Sequence, residues 1–197
     1  MGIQIYLVRH GKIEWKKDKA YIGQMDLPLS MEGILQAEKL RDYFEKIPLD
    51  QAYTSPLSRC VKTLDILLAD RPVSRVQVDA LKEIDMGEWD GKSISEIKNC
   101  CPAVYQQRGR EIDIFTPPAG ESFLDLKQRV MPAFEKIIKR NISKSILILA
   151  HAGVIRVILA DLLGLSIKEI FKWSVVYADI FKLDYDPEKE KWLCKNQ

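Results

Sequence analysis

Short apolar runs alternate along this chain with longer stretches in which apolar residues recur every three or four positions. Ile3 to Val8 is apolar on both faces and rich in β-branched residues, the pattern of a strand buried inside a sheet. Ser145 to Ala150 repeats that pattern, and Asp50 to Thr54 and Val76 to Val78 are shorter strand candidates. Ile34, Ala37, Leu40, Phe44 and Ile47 fall at helical spacing behind Ser30, a suitable N-cap, with Glu32 in the first turn and Pro48 beyond the end. Ser55-Pro56 predicts a second helix start, with Ser as cap and Pro at the first helical position, and a buried stripe of Leu57, Val61, Leu64 and Leu68. Two short helices are predicted between Ser93 and Arg108. A longer one is predicted from Ser122 to Arg140, kinked or broken at Pro132, and a mostly apolar one over Val154 to Leu163. Val175 to Leu183 and Trp192 to Cys194 predict a terminal hairpin at the sheet edge. Alternating strands and helices predict an α/β fold, a three-layer α/β/α sandwich around a mostly parallel central sheet. Thr116 to Gly120 reads as a loop, because the segments beside it are too small to fold alone, and residues 1–197 are expected to form a single domain.

Composition narrows the function classes. The chain is 47% hydrophobic and 29% charged with a net charge of +2, so no global charge favours nucleic acid or a membrane surface. No apolar run approaches the ~20 residues of a membrane span, and no signal peptide is apparent. Cys60, Cys100, Cys101 and Cys194 include no Cys-x-x-Cys pair, which predicts reduced thiols in a cytoplasmic protein rather than a disulfide framework or a zinc site.

The candidate chemistry lies at strand ends, where ligands bind in open parallel sheets. The chain has only two histidines, and each ends an apolar run: Leu7-Val8-Arg9-His10-Gly11 and Leu149-Ala150-His151-Ala152-Gly153. A lone histidine at such a place is usually structural. Here both precede glycine-containing turns whose backbone N–H groups can approach an anion. Arg9 and Arg59 reach the same region from two strand ends, and guanidinium forks match phosphate oxygens. A neutral imidazole beside them can attack phosphorus, which casts His10 as a nucleophile. Arg156 is expected to face elsewhere, as a surface or supporting residue. Protonation of a leaving oxygen needs an acid, and the acidic stretch Leu81 to Gly91 offers Glu83, Asp85, Glu88 and Asp90 without chemistry to choose among them.

Four segments resemble the histidine phosphatase superfamily, the phosphoglycerate mutase-like group: Leu7 to Gly11, Thr54 to Thr63, Glu83 to Gly91 and Leu149 to Arg156, in that family's order. The resemblance implies a phosphoglycerate mutase-like fold and a metal-independent, acid-type phosphatase with no cofactor. It implies His10 as the phosphorylated nucleophile, Glu83 as proton donor, and Arg9, Arg59, His10 and His151 as the phosphate pocket. Gly23 to Ser30 and Pro118 to Ser122 look most like the α-ribazole phosphatase and broad-specificity branch. That points to hydrolysis of a small phosphate ester, with α-ribazole 5'-phosphate as one candidate and Gly23 and Gln24 beside the substrate. Cofactor-dependent phosphoglycerate mutase is the alternative; such mutases are longer and carry tryptophan where Gln24 stands. A non-catalytic phospho-ligand binding module is a third reading. Family members commonly continue Arg-His-Gly with Glu-Thr-x-x-Asn, where this chain has Lys12, Ile13 and Lys16. Lys12 and Lys16 are therefore candidate substrate cations, able to act as mobile point charges.

Overall fold

The computed structural model describes residues 2–15, 18–186 and 191–196. Its frame is one six-stranded sheet built from β1 (Gln4–Arg9), β2 (Gln51–Thr54), β3 (Ser74–Gln77), β4 (Ser145–Ala150), β5 (Ile180–Asp186) and β6 (Lys191–Asn196), in the order β3-β2-β4-β1-β5-β6. The first four strands pair parallel, while β5 runs antiparallel to both β1 and β6.

Alternation along β1 explains the layers. Tyr6 and Val8 point to one face, where they pack with Leu40 and Phe44 of α1 (Met31–Phe44) and Leu64 of α2 (Ser58–Leu68). Ile5 and Leu7 point to the other, against Phe134 of α5 (Phe123–Arg140) and Val154 and Ile158 of α6 (Ala152–Leu163). Both faces of β1 and β4 are therefore covered, which is why these strands read as unbroken apolar runs. The two short helices α3 (Ile94–Cys100) and α4 (Pro102–Arg110) lie between β3 and α5 in the chain, and a single turn, α7 (Ile167–Ile170), follows α6.

Several boundaries differ from the sequence reading, each for a local reason. Ser30 caps α1 as expected, accepting from the Gly33 amide. α2 starts at Ser58, whose amide Asp26 accepts at 2.8 Å; the Ser55 hydroxyl accepts the Leu57 amide at 3.3 Å, just ahead of the helix, and also bonds His151. Val61 is only half-buried, and the buried stripe of α2 includes Arg59, Cys60 and Thr63. Pro132 does not break α5. It sits on the solvent side, where the carbonyl it leaves unbonded, on exposed Gln128, can be hydrated. The third strand is Ser74–Gln77 rather than Val76 to Val78, an exposed edge. Val175 to Asp179 is not strand: it loops back over the end of β1 before β5 begins.

Phe134 is fully buried between α5 and the sheet. Phe134→Ala is expected to cost about 3–5 kcal/mol in unfolding free energy. Urea denaturation checks this, and a loss under 1 kcal/mol would mean that this face repacks around the gap.

Candidate active site

β1 and β4 pair in register, with Arg9 opposite Ala150. His10 and His151, one residue past each strand, therefore emerge side by side. The His10 amide donates to the Ala150 carbonyl at 3.1 Å, and the two imidazole centroids lie 5.0 Å apart. Ser55, one residue past β2, lies beside them, and its amide donates to Leu149 O at 3.1 Å.

Hydrogen bonds define both rings. His10 Nδ1 donates to its neighbour's carbonyl, Gly11 O, at 2.7 Å, which leaves Nε2 as the ring's basic nitrogen. His151 Nδ1 accepts from Arg59 Nε at 3.3 Å, so the proton belongs on Nε2, which donates to Ser55 Oγ at 2.8 Å. Cys60 Sγ lies 3.4 Å from that Nε2. Both histidines are held well below the usual range, first by burial. For His10 the Arg59 and Arg9 guanidiniums add to this; for His151 the His10 ring does, followed by the same arginines.

Arg59 is 1% exposed. Its Nη1 donates to Met25 O at 2.8 Å and its Nη2 to Gly23 O at 2.7 Å. No carboxylate among the described residues forms an ion pair with it. Arg9 donates through Nη1 to Val175 O at 2.7 Å, and its Nε is buried without a partner. Arg156 is half-buried against the Phe171 ring, with its Nε also unpartnered, and the charge of Glu83 is felt there.

The four acidic candidates separate by their partners. Asp85 accepts from Gly87 N at 2.8 Å. Asp90 accepts from Gly23 N at 2.8 Å and Met25 N at 2.7 Å, and so shapes the loop that holds Arg59. Glu88 is exposed. Only Glu83 lines the cleft, with Arg9, His10, Arg59, Ile13, Ile22 and Tyr177. Its carboxylate accepts from Ile84 N at 2.9 Å and from Gly153 N at 3.1 Å, at the N-terminus of α6. Arg129 fixes the backbone of the same segment, donating to the carbonyls of Ala80, Lys82 and Glu83 while paired with Glu121.

The glycine turns thus do something other than expected. Gly153 gives its amide to the Glu83 side chain. Gly11 gives its amide to Thr63 Oγ1 at 3.1 Å, and a Cβ on Gly11 would lie 2.5 Å from Gly33 O. Close backbone packing, not anion contact, requires glycine at Gly11. Among the remaining sequence candidates, Gly23 binds Arg59 through its carbonyl and Gln24 Nε2 donates to Glu83 O at 3.2 Å. Lys12 is exposed and ion-paired with Glu32, and Lys16 lies outside the described residues. Sequence reading assigned no role here to Ser55 beyond a cap, to Arg129, or to Tyr177, whose ring lies 3.9 Å from the Arg9 guanidinium carbon and 5.6 Å from the His10 ring. No spacing rule in the sequence links these residues to the histidines.

Comparison with known proteins identifies the family. Over 172 residues the chain is 28% identical to phosphoserine phosphatase 1 of Hydrogenobacter thermophilus, covering 87% of this chain and 81% of that one. It is 32% identical to a 2,3-bisphosphoglycerate-dependent phosphoglycerate mutase of Gloeobacter violaceus, covering 88% of this chain and 81% of the relative. The α-ribazole phosphatase structure from Shigella flexneri superposes with a TM-score of 0.88 at 23% identity, covering 98% of this chain and 94% of that one. Residues 5–197 match the family outright, and the chain belongs to the histidine phosphatase superfamily, branch 1.

Proposed function

We propose that this protein is a phosphomonoesterase that hydrolyses a small phosphorylated metabolite through a phosphohistidine on His10. The observation that carries the reading is the cleft itself: the free Nε2 of a buried His10, two guanidiniums and one carboxyl converge there. Arg9 and Arg59 hold the phosphate oxygens with His10 and His151. The neutral His10 Nε2 attacks phosphorus, and Gly11 O keeps the proton on Nδ1 as the ring takes up positive charge. As the P–O bond to the alcohol breaks, Glu83 protonates the leaving oxygen. The Glu83 carboxylate then accepts a proton from water as that water attacks the phosphohistidine, releasing inorganic phosphate and restoring His10. His151 donates a hydrogen bond to the transferring phosphoryl group, exchanging Ser55 for a phosphate oxygen.

Cofactor-dependent phosphoglycerate mutase is the second reading, favoured by the 32% identity to such an enzyme. In that reaction the phosphoryl group passes to a phosphoglycerate instead of water. Gln24, at a position where mutases carry tryptophan, favours hydrolysis. α-Ribazole 5'-phosphate is one candidate substrate, from the likeness of Gly23 to Ser30 to that branch.

Acid-quenched enzyme given labelled substrate is expected to carry acid-labile, base-stable phosphate, with none on His10→Ala. Chased in water, the label leaves as inorganic phosphate; transfer to phosphoglycerate in preference would establish the mutase reading instead. Label retained by His10→Ala would sink the mechanism.

Glu83→Gln is expected to lose roughly 10²–10⁴-fold in kcat on alkyl phosphates, whose leaving groups need a proton, and far less on p-nitrophenyl phosphate. Equal losses on both would move the acid elsewhere.

Because the chain has two histidines, ring resonances can be assigned by removing either one. Both are expected to titrate below the ordinary value of about 6.5 in the empty protein. Their charged forms are disfavoured by folding, so each contributes stability that is complete above about pH 6.5 and is lost as pH falls. A ring titrating at or above 6.5 would contradict the depression by burial and the neighbouring guanidiniums.

A further inference from the structure

Glu83 reaches the cleft on a different kind of support from its partners. Arg9 ends β1, His10 and His151 lie one residue past buried strands, and Arg59 sits in the first turn of α2. Glu83 lies in the connection between β3 and α3, outside any strand or helix. A general acid must lie within hydrogen-bond reach of the leaving oxygen, and a displacement of about 1 Å can cost on the order of 10²-fold in rate. An irregular segment carrying that acid needs contacts that tie it to a rigid element.

Arg129 and Glu121 make those contacts. Arg129 adjoins Val130, which with Leu126 is fully buried and seats α5 in the core. Its Nη1 donates to the carbonyls of Ala80 and Lys82 at 2.9 and 3.1 Å, and its Nη2 to that of Glu83 at 3.3 Å. Its Nε and Nη2 also donate to the Glu121 carboxylate, at 2.8 and 2.6 Å, so every N–H of the guanidinium has an acceptor. Glu121 in turn accepts the Asp85 amide through Oε2 at 3.0 Å, and its own amide donates to Asp85 O at 2.8 Å. The bonds therefore fall on both sides of Glu83. The pair is mostly shielded from solvent, and neither residue lines the cleft. A lysine at position 129 would keep the charge but lose the planar fork that serves three carbonyls and a carboxylate together.

We propose that Arg129 and Glu121 are positioning residues for the proton donor, a clamp on residues 80–85 that holds the Glu83 carboxyl at the leaving oxygen. This rests on the phosphatase reading with Glu83 as its acid.

The test compares benzyl phosphate, whose leaving group needs a proton, with p-nitrophenyl phosphate, whose leaving group does not. kcat/KM is the quantity to compare, because it reports phosphoryl transfer to His10 and not the later attack of water that both esters share. Arg129→Lys and Glu121→Gln are each expected to lose roughly 10–100-fold on benzyl phosphate and less than about threefold on p-nitrophenyl phosphate. In a Glu83→Gln background the same substitutions are expected to cost benzyl phosphate less than about threefold more, since the group they position is gone. The ratio of the two esters does not depend on the fraction of enzyme that is folded, and damage to the phosphate pocket slows both. A ratio that neither variant moves, or a loss that persists in full on Glu83→Gln, overturns the proposal. The phosphatase reading survives that result, because it stands on the labelling of His10. Glu83→Gln slowing both esters alike would instead remove the acid assignment, and the clamp's role with it.

Discussion

The in-register pairing of β1 with β4 is the constraint on which the site depends. With Arg9 opposite Ala150, the next residue of each strand is a histidine, and the two rings come to 5.0 Å. Neither strand has freedom to slip. Each is buried on both faces, and a one-residue shift would exchange the residues facing the two helix layers. The same hydrophobic burial that stabilises the sheet therefore sets the spacing of the histidines.

Around that pair the protein gathers positive charge without neutralising it. Arg59 is wholly buried, yet its partners are two carbonyls and an imidazole rather than a carboxylate. Carbonyl dipoles offset only part of the cost of such a charge. The arrangement is expensive in the empty protein and favours an anion in the cleft. It also disfavours protonation of the histidines, so the electrostatics that would bind phosphate also keep His10 a base. Among the described residues Glu83 is the acidic side chain that lines the cleft, and the N-terminus of α6 and the Ile84 amide hold it.

Long loops do the positioning that the strands cannot. Asp26 and Asp90, both outside regular helices and strands, order the segment whose carbonyls receive Arg59, and Asp26 also starts α2. Gly11 and Gly33 let the chain just after β1, Gly11 and Lys12, approach α1 at backbone distance. The segment from Val175 to Asp179 returns from the far side of the sheet to cover Arg9.

By itself the sequence determined the strands and helices that bury a continuous apolar face, because their periodicity is written locally: β1, β4, α1, α5 and α6. It also determined the family and placed Arg9, His10, Arg59 and His151 at strand ends, through ordered segments spanning residues 7 to 156. Glu83 was singled out by likeness alone, since four carboxylates in nine residues carry the same local chemistry. Only the tertiary structure separated them, by giving Asp85 and Asp90 to backbone amides, leaving Glu88 exposed and turning Glu83 into the cleft. Tertiary contacts likewise gave the Ser58 amide at the start of α2 to Asp26 and joined the Ser55 hydroxyl to His151, and they spent the Gly11 and Gly153 amides inside the protein. Tyr177 lies more than twenty residues beyond His151, and only the fold of the chain back across β1 brings it to Arg9. Hydrogen bonds between distant segments leave no periodic trace in a sequence, whereas burial of a helix or strand face does.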